Sequence, residues 1–280
     1  MTAVVYSGSK TAVWKITSAG KVIAECTMPG INPLFTDQKS LLQQLNKKSI
    51  LINHAEQIKK IYVFAAGATS EEKRKALAAS LSLFFKYSRI SVKDDLTGAA
   101  IAAFGSKSGI ICLLGSGSNC AYFSGEQPEE NNFGLGFILG DEGSANFMGK
   151  LILKYYLQEK LPQDLMLKFR ERYDLTRSEI LERVYIKPLA QQFLSSFLDF
   201  YLEHKTHDFI LQLVDQALQL FITTCLLPVI RQHPGKEIHF AGIVAGNFEA
   251  SLHAAAARNG FEIQTIIKQP IYNLLNYYSN

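Results

Sequence analysis

Two Gly-Ser turns, Ser7-Gly8-Ser9 and Ser116-Gly117-Ser118, each join one apolar, strand-like run to a second, and this repetition constrains the fold of the 280-residue chain more than any other feature. The first turn links residues 2–6 to 11–16, and the second links residues 109–114 to 119–123. A turn of Gly and Ser lets the backbone approach a ligand closely and offers N–H and hydroxyl donors to an anion. Two such turns could clamp a polyphosphate. Ordinary hairpin turns have the same composition, so the tripeptides alone leave both readings open.

Hydrophobic periodicity predicts strands over residues 3–6, 11–16 and 22–27, then a loop Pro29-Gly-Ile-Asn-Pro33 and a helix over 38–46. Strand 61–65, helix 71–85, strand 90–92 and helix 97–104 follow. This βββαβαβα order is that of a ribonuclease-H-like unit. The second half starts the same way, with strands over 110–114, 120–123 and 135–139. It then expands into helices over 144–158, 165–173, 177–184, 189–204 and 208–231 before a strand at 238–241, the Gly242-Ile-Val-Ala-Gly246 turn, a helix, a strand and a terminal helix. The expected fold is α/β: two duplicated ribonuclease-H-like domains with an interdomain cleft and a helical insertion in the second. The domains are expected at 1–106 and 107–280, with the insertion at about 160–206 and the terminal helix free to pack on the first domain.

A chain with 48% hydrophobic and 19% charged residues can bury a large core. The net charge of +4 is spread over short runs such as Lys47-Lys48 and Lys73-Arg74-Lys75 without interleaved aromatics, which reads as solvated faces and not as a nucleic-acid surface. The first residues carry neither a basic segment nor a long apolar one, so a cytoplasmic protein is expected. The most apolar helix is interrupted by Gln212, Asp215, Gln216 and Gln219 and reads as a core helix, not a membrane span. Cys26, Cys112, Cys120 and Cys225 show no paired spacing, and His204 with His207 lacks a third ligand, so reduced thiols and no metal site are expected.

Chemistry is expected where Asp94-Asp95 precedes a helix. A carboxylate at a strand-to-helix junction can accept the proton of an attacking hydroxyl, and Asp95 is the candidate base. Helix capping is the alternative for either residue. Two other motifs are excluded. Gly115-Ser-Gly-Ser-Asn-Cys120 lacks the third glycine of a dinucleotide fingerprint and precedes a strand. Gly143 and Lys150 stand one residue too far apart for a Walker A loop, and Leu151 follows where Ser or Thr is needed.

In combination, Leu114-Gly-Ser-Gly-Ser-Asn-Cys120, Leu139-Gly-Asp-Glu-Gly-Ser-Ala145, Gly30-Ile-Asn-Pro33, Asp95-Leu-Thr-Gly-Ala99 and Val184-Tyr-Ile-Lys-Pro188 resemble the N-acetylglucosamine kinase and BadF/BadG-type ATPase family. That family belongs to the actin-like, hexokinase-like ATPase superfamily. The resemblance implies that Asn32, Asn119, the Gly134 and Gly136 backbone and Asp141 hold the hydroxyls and acetamido group of an amino sugar. It implies that Asp95 takes the proton of the 6-hydroxyl, that Ser7, Gly8, Ser9, Gly115, Ser116 and Gly117 cradle the phosphates of ATP, and that Gly242 and Ala245 lie beside the adenosine. Magnesium is the implied ion, an amino sugar the implied substrate and a homodimer a common assembly for such kinases.

Four positions depart from the family pattern. Tyr6 stands where an acidic residue is expected, Lys10 where Thr is, Ile243 where Ser is and Asn273 where Gly is. The departures fall in the nucleotide half of the implied site. Two further readings are a catalytically weak, sugar-binding relative acting as a sensor or scaffold, and a BadF-type ATPase that activates a reductase. The cysteines give no cluster-bridging pattern for the latter.

Overall fold

The computed structural model describes residues 1–279. Two compact units result, one of Met1–Ile111, Phe123–Glu129 and the described residues from Gln269 on, the other of Cys112–Tyr122 and Glu130–Lys268. The first unit is built on a five-stranded sheet in the order β3-β2-β1-β4-β5. Here β1 (Thr2–Ser7), β2 (Thr11–Ser18) and β3 (Lys21–Pro29) form an antiparallel meander. β4 (Lys60–Ala65) runs parallel to β1, and β5 (Arg89–Asp94) parallel to β4. Helices α1 (Gln38–Asn46) and α2 (Ser49–His54) separate β3 from β4, α3 (Glu71–Ser82) separates β4 from β5, and α4 (Asp95–Phe104) follows β5.

Alternation along β1 divides its side chains between two faces. Ala3 and Val5 share a core with Trp14, Leu41, Leu45, Leu81 and Phe85, and Trp14 stacks on Phe85 at 5.5 Å. Tyr6 has the opposite parity and meets α4. On that second face a Cβ at Gly98 would lie 2.8 Å from Phe64, so glycine lets α4 press against β4. The terminal helix covers the same face: Tyr278 stacks on Tyr62 at 4.0 Å, and Asn273 Nδ2 donates to the Ala102 carbonyl at 3.0 Å.

The second sheet has the order β7-β6-β8-β9, with β6 (Gly109–Leu114) starting in the first unit, β7 (Ser118–Phe123), β8 (Ile238–Ala241) and β9 (Thr265–Ile267). A short helix, α5 (Gly136–Leu139), replaces the third strand expected at 135–139. Gly136 has φ +78°, which breaks an extended run, and the Gly140 N–H closes the turn on the Gly136 carbonyl at 2.9 Å. The meander is therefore only partly repeated in the second half.

Helices α6 (Ala145–Leu157), α7 (Gln163–Tyr173), α8 (Arg177–Tyr185), α9 (Ala190–Ser196) and α10 (Leu198–Glu203) follow. Phe169 is the hub of this part, 5.6 Å from Phe197 and 5.1 Å from Phe200, and Tyr201 anchors it to α6 through a 2.8 Å bond to the Met148 carbonyl. α11 (Asp208–Phe221) continues through a π-helical segment (Ile222–Leu226) into α12 (Leu227–Gln232). This stretch is long and apolar enough to cross a membrane, but Ile210, Leu213, Val214, Ala217, Leu218 and Phe221 form a buried stripe of the unit's core. α13 (Ile243–Asn247), α14 (Glu249–Arg258) and the terminal α15 (Ile271–Ser279) complete the chain. The two α/β units, the first with the strand order of a ribonuclease-H-like domain, give the actin-like ATPase architecture.

Candidate functional site

In the first unit the Gly8 N–H donates to the Thr11 carbonyl at 3.1 Å and closes the β1–β2 turn. Ser7 turns inward, fully buried, and its Oγ accepts from the Ile31 N–H at 2.7 Å and donates to the Ile31 carbonyl at 3.1 Å. That pair of bonds ties β1 to the loop carrying Asn32. A Cβ at Gly30 would stand 2.4 Å from the Gly8 carbonyl oxygen and 2.6 Å from that of Ser9, so only glycine lets the loop lie on the turn. Asn32 is buried, and its Oδ1 accepts from the Leu34 N–H at 2.9 Å. Gly67, at φ +79°, makes room for the Asn32 carboxamide, since a Cβ there would lie 2.1 Å from Oδ1.

At the β5–α4 junction the cap belongs to Asp94. Its Oδ1 accepts from the Thr97 N–H and its Oδ2 from the Thr97 hydroxyl, both at 2.8 Å. Asp95 is the first helical residue, where the helix dipole favours a carboxylate, and its Oδ1 accepts from the Leu96 N–H at 3.1 Å. The Tyr6 hydroxyl donates to the Asp95 carbonyl at 3.3 Å. Burial, and then the nearby Asp95 and Asp94 carboxylates, push the Tyr6 phenol well above its usual pKa, so it stays neutral. Among the described residues no group of three or more His, Cys, Asp or Glu could hold a metal ion.

In the second unit the Gly115 N–H donates to the Gly117 carbonyl at 2.9 Å, and the carbonyls of Gly115 and Ser116 accept from the Ala145 and Asn146 N–H groups at 2.9 and 3.0 Å. The first turn of α6, capped by Ser144, thus docks on the second Gly-Ser turn. Asp141 adopts φ +62° and is 5% exposed; its Oδ1 accepts from the Ser118 N–H at 3.2 Å and its Oδ2 from Asn146 Nδ2 at 3.1 Å. A Cβ at Gly117 would lie 2.9 Å from Asp141 Oδ1. Burial raises the Asp141 carboxyl above its usual pKa, opposed by the Asn146 and Ser118 hydrogen bonds and the Lys150 cation. Lys150 Nζ donates to the Phe137 carbonyl at 2.7 Å and so holds α5 to α6.

Asn119 Oδ1 accepts from the Cys120 N–H at 2.8 Å, and a Cβ at Gly134 would lie 2.9 Å from Asn119 Nδ2. Gly242, at φ +111°, lets the β8–α13 turn close on the end of β6, because a Cβ there would be 2.3 Å from the Leu114 carbonyl oxygen. The second unit thus gathers Gly115, Ser116, Gly117, Asn119, Gly134, Asp141 and Gly242 near the end of β6, while Gly136 has no atom within 4 Å of its would-be Cβ.

Two expected contacts change in kind. The Ser7 hydroxyl is committed to Ile31, which leaves the half-buried Gly8 and Ser9 as the parts of that turn a ligand can reach. Ala245 is wholly buried, so the exposed side chain of its turn is Ile243. His207 is a helix cap whose Nδ1 accepts from the Phe209 N–H at 3.1 Å. Asn146 and Gly67 escaped the sequence reading, and Lys150 entered it only as an excluded Walker A lysine. Asn146 and Lys150 lie on the helix that the Gly-Asp-Glu-Gly-Ser run enters, and Gly67 has no local signal.

No protein-family model matches the chain. The structure named "Putative N-acetylglucosamine Kinase" from Porphyromonas gingivalis is 31% identical, with 100% of this chain and 99% of that one covered and a TM-score of 0.92. The like-named protein of Chromobacterium violaceum is 14% identical over 99% of both chains, with a TM-score of 0.69. A glucokinase of the ROK family from Streptomyces griseus, in complex with glucose and AMPPNP, is 10% identical over 99% of this chain and 97% of its own, with a TM-score of 0.58. The latter two share the fold. The chain belongs to the N-acetylglucosamine kinase family of the actin-like, hexokinase-like ATPase superfamily.

Proposed function

We propose that the protein transfers the terminal phosphoryl group of ATP to an amino sugar, N-acetylglucosamine at its 6-hydroxyl, with Asp95 as general base. The observation that carries this reading is the arrangement at the β5–α4 junction, where Asp94 is the N-cap bonded to Thr97 and Asp95 follows as the first helical residue, its Oδ1 accepting from the Leu96 N–H. Asp95 takes the proton of the attacking hydroxyl as its oxygen bonds to the γ-phosphorus and the bond from that phosphorus to the bridging oxygen breaks, releasing ADP. Asn32, Asn119, Asp141 and the Gly134 and Gly136 backbone hold the sugar hydroxyls and acetamido group. The whole-chain likeness to the Porphyromonas gingivalis protein supports the choice of sugar.

The Gly-Ser turns suit phosphate groups: nothing stands within 4 Å of a would-be Cβ at Gly8, and at Gly117 the nearest side chain is that of Asp141. Gly8, Ser9, Gly115, Ser116 and Gly117 cradle the phosphates, and Gly242 with Ile243 lies beside the adenosine. ATP supplies the phosphoryl group. Magnesium fits less well, because it prefers carboxylate oxygens and residue 6 is a neutral phenol. That same observation favours a second reading, a sugar-binding relative with little or no turnover. Calorimetry with N-acetylglucosamine and, separately, with a non-hydrolysable ATP analogue plus magnesium decides between them. Binding of both, with sugar 6-phosphate detected by NMR on adding ATP and lost in Asp95→Asn, supports the kinase. Sugar binding alone supports the sensor, and binding of neither refutes both.

A further inference from the structure

Asn146 occupies the second position of α6 and is 4% exposed. Its backbone N–H reaches the Ser116 carbonyl, and its Nδ2 donates to Asp141 Oδ2 at 3.1 Å. The amide can face Asp141 only in this sense, because the reversed one would set its carbonyl oxygen against a carboxylate. Asn146 Oδ1 is buried and has no partner among the described residues. A buried acceptor without a donor is costly, so stability alone is a poor reason for an amide here. The carboxylate of Asp141 has about four acceptor positions, of which the Ser118 N–H and Asn146 Nδ2 occupy two.

We propose that Asn146 is a positioning residue for sugar binding: its Nδ2 holds the Asp141 carboxylate against the Gly115–Ser118 turn, with its remaining lone pairs presented to a sugar hydroxyl. The inference rests on the reading of Asp141 as a sugar ligand. Asn146 is also the largest influence opposing the rise that burial causes in the Asp141 pKa. The other charged or titratable groups facing Asp141 are Lys150 on its own side of α6, the adjacent Glu142, and Cys225 from the π-helical segment.

The test is calorimetric affinity for N-acetylglucosamine at pH values from about 5.5 to 8.5, for the full chain and for Asp141→Ala, Asn146→Leu and the near-isosteric Asn146→Asp. Wild-type affinity is expected to change less than about two-fold between pH 6.5 and 8.5. Asn146→Leu is expected to bind at least about five-fold more weakly at pH 7. In Asn146→Asp the two carboxylates share one proton at low pH, which restores the donor. Its affinity is therefore expected to approach wild type at pH 5.5 and to fall at least about five-fold by pH 8.5. A merely structural asparagine would produce no such alkaline limb. If wild type binds and Asp141→Ala weakens binding while the folded Asn146 variants match wild type at every pH, the inference alone is overturned. If wild type does not bind, or Asp141→Ala binds normally, the underlying reading falls and the inference with it. Circular dichroism confirms folding, and Asn146→Asp keeps the test valid should Asn146→Leu not fold.

Discussion

At the scale of single residues, Asp94 caps α4 through Thr97, and Asp95 beside it is the proposed base. Asp95→Asn keeps the shape and removes the proton acceptor, so any turnover, read in wild type or in the more active Tyr6→Asp background, is expected to fall by about 10² to 10⁴ while sugar affinity stays within a few-fold. Steady-state kinetics beside calorimetry checks this, and unchanged turnover would leave Asp95 without a role in proton transfer. Asp141 gives a pH signature. Its carboxyl is raised above the usual 3.8 by burial, so the folded state binds the proton more tightly than the unfolded chain. Stability is greater below the unfolded value and is lost as pH rises through the folded one. Wild type is therefore expected to gain stability relative to Asp141→Asn as pH is lowered through that window, measured by urea denaturation at a series of pH values. A pH-independent difference would contradict the assignment.

At the scale of elements, capping and close packing explain why some motifs were legible and others were not. The sequence names Asp95 as the candidate base but leaves the cap open to either carboxylate, because the cap depends on which one reaches Thr97, and that is set by the backbone at the junction. Asp94→Ala is expected to cost about 0.5–2 kcal/mol of stability, read from denaturant unfolding, without the kinetic signature of Asp95→Asn. Gly30-Ile-Asn-Pro33 was recognisable as a motif, whereas its mate Gly67 was not, since the two meet only through the Asn32 carboxamide. Gly30→Ala would drive a Cβ into two backbone oxygens, and about 1–3 kcal/mol of destabilisation is expected in the same assay. Residues 135–139 look like a strand because Leu, Phe, Ile and Leu occur together, yet Gly136 at φ +78° begins a helical turn. Asn273, a departure from the family pattern, bonds to Ala102 and so serves the packing of α15 on α4.

At the scale of the whole molecule, the first sheet was legible in full because its strands are apolar, short and separated by clear turns, while the second unit hides its organisation in helices whose partners lie far away in sequence. The candidate sugar-binding groups are held by internal hydrogen bonds in both units: Asn32 by Leu34, Asn119 by Cys120, and Asp141 by Ser118 and Asn146. The position of the missing acidic residue is occupied by a neutral phenol bonded to the Asp95 backbone. On the proposed reading, a kinase site keeps its sugar half and is weakened in its metal–nucleotide half at residue 6. The most direct test is steady-state phosphorylation of N-acetylglucosamine by wild type and Tyr6→Asp across a magnesium titration. Slow or undetectable wild-type turnover is expected, with Tyr6→Asp raising turnover or tightening the magnesium dependence. Vigorous wild-type turnover with tight magnesium dependence, abolished by Tyr6→Asp, would contradict the account.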